Sequence, residues 1–94
     1  MPDDVRQFQL PKRRGRSDDD PLLTFLKASL GRPVLLDLSD VDRIDSLRLR
    51  TLLSANRKWR QDGARLAITG LTDACADMFR LLGVDPIIFE QERV

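Results

Sequence analysis

A short polar segment in the middle of the sequence carries most of the side chains that could do chemistry. Three carboxylates, those of Asp40, Asp42 and Asp45, lie close to the guanidinium of Arg43 and the hydroxyl of Ser46. Carboxylates confined to one turn could at most hold a cation weakly. The chain contains no histidine and no tyrosine, so it lacks the usual general base near neutral pH and the commonest metal ligand. The sequence therefore predicts no catalytic residue, no metal site and no cofactor.

The composition indicates one small domain that is not built to bind a polyelectrolyte. Sixteen basic and fifteen acidic residues nearly cancel over 94 residues. The single cysteine, Cys75, excludes an internal disulfide, is typical of a reducing compartment and should be a buried, inert thiol. No apolar run approaches the roughly 20 residues that span a bilayer, and the N-terminus lacks the core of a signal peptide. We therefore expect a soluble cytoplasmic protein with no membrane span.

A charge run that changes sign follows the first apolar stretch. Residues 12–16 are basic except for Gly15, and residues 18–20 are three aspartates. The basic residues could contact nucleic acid, but the neighbouring aspartates cancel their field and no aromatic side chain is interleaved. The segment therefore predicts a solvated loop, and we do not expect nucleic-acid binding.

Apolar periodicity and turn residues predict alternating strands and helices. The predicted strands are an edge strand at residues 5–10 and buried strands at residues 34–38, 66–68 and 87–89. The predicted helices run from Pro21 to about Leu30, from about Ser46 to the residue before Asp62, and from the capping Thr72 to about Gly83. Because crossovers between parallel strands are right-handed, this order predicts an α/β fold with a mostly parallel sheet of about four strands and about three helices.

The second predicted helix presents a leucine to solvent in its first turn. On a wheel of about 100° per residue, Leu49, Leu52 and Trp59 lie on the side that faces the sheet. Leu47 falls nearly opposite these residues, so we expect it to be exposed. Its side chain could cover the preceding loop, for instance at Val41, or it could anchor a partner interface.

Arginines surround the start of the same helix, where a cation opposes the helix dipole. Arg43, Arg48 and Arg50 would each cost about 0.3–1 kcal/mol at an exposed site. They could form a solvated basic face that the nearby aspartates screen, or they could contact an acidic patch of a partner or a bound anion. Either Asp45 or Ser46 is expected to cap the helix.

Four short motifs follow one another in an informative order. They are Leu36-Asp37-Leu38-Ser39, Ile44-Asp45-Ser46, Asp62-Gly63-Ala64-Arg65-Leu66 and Leu81-Leu82-Gly83-Val84. Together they resemble the STAS domain, the module of anti-sigma factor antagonists, over a core of roughly residues 20–89. The resemblance implies a single STAS-like domain over residues 1–94, with an N-terminal strand and charged loop in residues 1–19 and a tail in residues 90–94. Trp59 also resembles a feature of divergent STAS-like proteins that are found beside chemotaxis genes.

The start of the second helix departs from the family pattern. Anti-sigma factor antagonists usually carry Asp-Ser-Ser-Gly or Asp-Ser-Ala-Gly at this step, and a kinase modifies the second serine where it is present. In this chain the step reads Asp45-Ser46-Leu47-Arg48. Leu47 has no hydroxyl, so the phosphoserine switch does not transfer intact. The neighbouring Ser46 is the alternative phosphorylation site.

The resemblance implies a non-enzymatic protein–protein interaction module in bacterial signalling. The residues expected to contact a partner are Asp40, Asp42, Arg43, Asp45, Ser46, Leu47, Arg48, Arg50 and Thr51. The implied partner is a kinase-like anti-sigma factor, a chemotaxis component or a transporter ATPase, and a second copy of the chain is a further candidate. Two alternatives stay open, an anti-sigma factor antagonist phosphorylated at Ser46 and an accessory STAS subunit of a lipid-transport ATPase complex.

Overall fold

The computed structural model describes residues 5–11 and 21–91, along which strands and helices alternate. The strands are β1 (Arg6–Gln9), β2 (Val34–Asp37), β3 (Leu66–Thr69) and β4 (Glu90–Gln91). The helices are α1 (Pro21–Ala28), α2 (Ser46–Gln61) and α3 (Asp73–Leu81), and a short 3₁₀ helix (Pro86–Ile88) precedes β4. The predicted charged loop, with its basic residues 12–16 and its aspartates 18–20, lies outside the described residues.

The four strands form one parallel sheet in the order β1-β2-β3-β4. Phe8 of β1 pairs with Leu36 of β2, which in turn pairs with Ile68 of β3. Parallel neighbours require a crossover connection, and a helix lies in each connection between consecutive strands. The prediction of an α/β fold is confirmed, with four parallel strands and three α-helices in the described part of the chain.

One face of the sheet packs against the helices and forms the core. Because side chains alternate along a strand, Val34 and Leu36 of β2 lie on one face together with their pairing partners in β3, Leu66 and Ile68. All four are buried. The helices contribute the buried residues Leu22, Leu26, Leu49, Leu52, Ala55, Trp59, Cys75 and Phe79. The predicted inner face of α2 is therefore the one that faces the core.

α2 carries the candidate site, and its bounds are those predicted. It runs for 16 residues and ends before Gly63, whose φ of 71° is a left-handed conformation that glycine adopts at low cost. Its first turn contains no acidic residue. Neither α2 nor any other described helix is long and apolar enough to cross a membrane.

Two predicted elements end differently in the structure. α1 ends at Ala28 rather than near Leu30, and the Leu30 side chain is 53% exposed. The predicted strand at residues 87–89 is wrong, because Pro86 begins a 3₁₀ helix and the Asp85 carboxylate accepts a hydrogen bond from the backbone N–H two residues on, at 3.1 Å. The last strand is β4, so two residues expected in the C-terminal tail belong to the sheet.

Candidate partner-binding site

The predicted site lies at the carboxyl edge of the sheet, in the loop of residues 38–45 that joins β2 to α2. Apolar residues anchor this loop, and each is at most 1% exposed: Leu38, Val41 and Ile44. The charged residues of the loop are exposed: Asp40, Asp42, Arg43 and Asp45. Open α/β sheets commonly bind their ligands outside this edge. The loop therefore presents charged side chains from a backbone that is anchored in the core.

Hydrogen bonds from three directions hold this loop. The Asp37 carboxylate accepts from the backbone N–H two residues on, at 2.8 Å. The side-chain amide of Gln9 in β1 donates to the Asp40 carboxylate at 3.1 Å. The Thr72 hydroxyl, at the start of α3, donates to the backbone carbonyl of Val41 at 3.2 Å. The loop is hydrogen-bonded to β1, to its own strand and to α3. The entropic cost of ordering it when a partner binds is therefore small.

Asp45 caps α2, which decides between the two capping residues that the sequence allows. Its backbone is extended, with φ −86° and ψ 168°, and its Oδ1 accepts from the backbone N–H of Arg48 at 2.7 Å. Ser46 is the first residue of the helix and is exposed. The Ser46 hydroxyl is therefore not the cap and is accessible at the start of the helix.

We expect Asp45→Ala to lower the free energy of unfolding by about 0.5–2 kcal/mol, because a backbone N–H in the first turn of α2 loses its acceptor. Asp45→Asn should recover most of this loss, since asparagine caps helices as well as aspartate does. Ser46→Ala should change the free energy by less than about 0.5 kcal/mol. Urea unfolding of the three variants measures these differences. Equal losses in Asp45→Ala and Ser46→Ala would contradict the assignment of the cap.

Leu47 is exposed in the first turn of α2, as predicted. Its side chain is 52% exposed, whereas Leu49 is 4% exposed. The half-buried Thr51 donates its hydroxyl to the backbone carbonyl of Leu47 at 3.1 Å, and Arg50 is exposed. A large apolar side chain therefore stands in solvent next to the charged loop.

Arg48 is buried, so its prediction as one of the exposed arginines is wrong. Its side chain is 1% exposed, and its Nη1 donates to the backbone carbonyl of Pro11 at 2.8 Å. Helical periodicity explains the difference, because position 48 lies on the same buried stripe as Leu52 and Trp59. The helical spacing of position 48 therefore indicates burial, although the charge of an arginine favours exposure to solvent. Arg48 joins the end of β1 to α2 and does not offer a surface contact.

Cys75 lies close to the site as a buried thiol, as predicted. Burial, and to a lesser extent the Asp42 carboxylate, raises the pKa of the thiol to about 11, although the Arg48 guanidinium acts in the opposite direction. The thiolate is the reactive form of cysteine, and at this pKa it is scarce near neutral pH. Cys75 therefore contributes packing rather than chemistry.

Gly70 positions the site, and the sequence analysis missed it. It follows β3 with a φ of 68°, and a Cβ atom at this position would lie 2.8 Å from Asp37 Oδ1 and 2.9 Å from Ser39 Cβ. The turn after β3 therefore packs directly on the loop that carries the site. A glycine after a buried strand is a weak signal, because the atoms it approaches come from a distant part of the chain.

The structure gathers the predicted residues at one edge of the sheet and removes one of them from the surface. The exposed members are Asp40, Asp42, Arg43, Asp45, Ser46, Leu47 and Arg50. Thr51 is half-buried and Arg48 is buried. The described residues contain no group of three or more side chains that could hold a metal ion. An apolar side chain bordered by charged ones is an arrangement suited to contact with another protein.

Comparisons with known proteins agree with this fold. The family model described as "Mlab, STAS domain" matches residues 16–89. A similar solved structure is that of a Thermotoga maritima protein proposed to be an anti-sigma factor antagonist, with a TM-score of 0.70. The two sequences are 20% identical, and the match covers 98% of this chain and 82% of that chain, a likeness that shows the fold. A comparison with curated proteins finds no match.

Proposed function

The chain belongs to the STAS domain family, and we propose that it is a protein–protein interaction module in bacterial signalling. Its docking surface is the loop of residues 38–45 together with the first turn of α2. STAS domains and anti-sigma factor antagonists generally regulate other proteins and do not catalyse reactions. The observation that carries the proposal is the exposed side chain of Leu47, at the position where the resemblance places the regulated serine of the family.

Leu47 suits a partner contact for an energetic reason. Full burial of a leucine contributes about 1.5–3 kcal/mol relative to full exposure. Because Leu47 is 52% exposed, roughly half of this gain is still available to an interface. The charged side chains of Asp40, Asp42 and Arg43 stand in the preceding loop, where they can orient a partner of complementary charge.

Leu47→Glu should weaken the binding of a cognate partner by about tenfold or more, because the interface would have to bury a carboxylate without an opposite charge. Leu81→Glu is the matched control. Leu81 is 78% exposed at the end of α3, so the same substitution there should change the affinity by less than about twofold. Isothermal titration calorimetry measures both affinities, with the partner chosen as a kinase-like, chemotaxis or transporter-ATPase protein if a neighbouring gene encodes one.

Stability measurements complete this test. Both leucines are exposed, so urea unfolding of the two variants should give midpoints close to that of the parent chain. A weakened complex with an unchanged midpoint supports the docking surface. Undiminished affinity in Leu47→Glu would remove the first turn of α2 from the proposal.

A second candidate function is that of an anti-sigma factor antagonist regulated by phosphorylation of Ser46. The exposed position of this hydroxyl at the first residue of α2 favours it. A phosphate group there would gain from the positive end of the helix dipole. Incubation with the cognate kinase and ATP should then add the mass of one phosphate, and Ser46→Ala should abolish the increase.

A third candidate function is that of an accessory STAS subunit of a lipid-transport ATPase complex. The leucine at position 47 favours it, because a constitutive subunit needs no hydroxyl that a kinase could modify. This function predicts tight co-purification with the transporter ATPase and no response to kinases. If the transporter ATPase no longer co-purifies with the chain after a kinase and ATP are added, a regulated antagonist is favoured instead.

A further inference from the structure

A groove of about 360 Å³ runs between α1 and α2, beyond the first turn of α2. Its apolar lining includes the buried side chains of Leu26 and Trp59 and the half-buried side chain of Leu23. The exposed side chains of Arg50 and Lys58 border it. The groove therefore combines an apolar floor with a cationic rim.

The two helices that form the groove carry only one sign of charge. α1 contains one lysine, α2 contains one lysine and four arginines, and neither helix contains an acidic residue. The whole chain has a net charge of only +1, so basic side chains are concentrated on these helices. Lys58 has an ion pair with Asp62 at 3.4 Å, but both side chains are accessible to solvent and such pairs contribute little. The rim of the groove thus favours a negatively charged occupant.

The groove has the length and the shape that suit another helix. From Arg50 to Lys58 it follows nine residues of α2, a rise of about 12 Å or two helical turns. Trp59 is held in place, because its Nε1 donates to the backbone carbonyl of Arg32 at 2.7 Å. A cleft between two helices accepts the ridge of a third. An amphipathic helix places apolar anchors on one face over these two turns.

We propose that the groove between α1 and α2 binds an acidic amphipathic helix of a partner protein, with leucine-like side chains in the groove and carboxylates beside Arg50 and Lys58. This surface shares Arg50 and Thr51 with the predicted partner-binding residues, but it lies outside the loop of residues 38–45 and does not rest on the function proposed for that loop. A protein segment fits better than a membrane, because the apolar lining includes the buried side chains of Leu26 and Trp59, which do not project from the surface. Membrane-surface binding instead inserts apolar side chains that project from a helix.

The probe for this proposal is a synthetic helical peptide with leucines at i, i+3, i+4 and i+7 and glutamates at the flanking positions. Trp59 is the only tryptophan of the chain, so the resonance of its indole N–H reports on the groove in an NMR titration of the full-length protein. We expect a saturable shift of this resonance with the acidic peptide. A peptide with the same leucines and with lysines in place of the glutamates should bind at least about tenfold more weakly.

The matched variants are Lys58→Glu and Arg80→Glu. Each cation has a solvent-accessible ion pair with an aspartate that is close in the sequence, Lys58 with Asp62 at 3.4 Å and Arg80 with Asp77 at 3.1 Å. Of the two cations, Lys58 borders the groove and Arg80 does not line it. Lys58→Glu should weaken binding of the acidic peptide by about fivefold or more, and Arg80→Glu by less than about twofold. Asp40→Ala, in the loop of residues 38–45, should leave this affinity within about twofold, which separates the groove from the loop surface.

Three results would overturn the proposal. The first is the absence of a saturable shift at Trp59, and the second is an equal loss of affinity in Lys58→Glu and Arg80→Glu. The third is a shift of the Trp59 resonance with vesicles that contain phosphatidylglycerol but not with the acidic peptide, which would identify a membrane surface as the occupant.

Discussion

Arg48→Ala is expected to lower the free energy of unfolding by about 2–3 kcal/mol. The substitution removes a side chain that is 1% exposed. The backbone carbonyl of Pro11 then loses its hydrogen-bond donor, the Arg48 Nη1 at 2.8 Å. It also leaves a cavity in the buried stripe of α2 that includes Leu52. Removal of a cation near the start of a helix stabilises α2 by about 0.3–1 kcal/mol, which offsets only part of the loss.

Urea unfolding measures this loss, and Arg50→Ala is the matched control. Arg50 is exposed two residues further along the same helix, so its replacement should change the free energy by less than about 0.5 kcal/mol. Arg48→Met keeps an aliphatic chain of similar length and should lose about 1–2 kcal/mol, because the hydrogen bond to Pro11 is removed while much of the packing is kept. A loss in Arg50→Ala as large as that in Arg48→Ala would show that the burial of Arg48 does not decide the effect.

Gly70→Ala should lower the free energy of unfolding by about 2–5 kcal/mol, for two reasons that add. A left-handed φ of 68° costs a residue with a Cβ atom about 1–2 kcal/mol. The new methyl group would also lie 2.8 Å from Asp37 Oδ1 and 2.9 Å from Ser39 Cβ. The Asp37 carboxylate cannot move away freely, because it holds the loop through a hydrogen bond of 2.8 Å. Overpacking of this kind typically costs about 1–3 kcal/mol.

Gly63→Ala separates these two contributions. Its φ of 71° is nearly the same, but a Cβ atom there would meet no other atom within 4 Å. We therefore expect Gly63→Ala to lose about 1–2 kcal/mol, from backbone strain alone. Urea unfolding of both variants gives the comparison. Equal losses would show that the packing of Gly70 on the loop adds nothing.

The consequence for the site differs between the two glycines. Gly70 packs on the loop of residues 38–45, whereas Gly63 follows the far end of α2. If the loop docks a partner, Gly70→Ala should weaken that complex even in conditions where the variant stays folded, because the displaced loop no longer presents its charged side chains in place. Gly63→Ala should leave the affinity of the folded protein unchanged.

The bounds of α2 and its exposed leucine could be derived from the sequence. Apolar residues at a period of 3.6 identify the inner face of a helix, so Leu49 and Leu52 had to be buried and Leu47 exposed. The Asp62-Gly63 step marks the end of the helix for an equally local reason, the tolerance of glycine for a left-handed backbone. The alternation of such elements then predicts a parallel sheet, because strands that are separated by helices cannot pair as hairpins.

The hydrogen-bond acceptor of Arg48, the close approach of Gly70 and the position of the last strand depended on the tertiary structure. Arg48 finds its acceptor in Pro11, 37 residues away, and Gly70 meets a loop that leaves a different strand. Local periodicity describes which face of an element is apolar, but it does not identify the atoms that another part of the chain brings to that face. The charged groove between α1 and α2 has the same origin, since it exists only once two helices with like charge pack side by side. The sequence by itself therefore determined the elements and their faces, and the fold decided which polar groups those faces enclose.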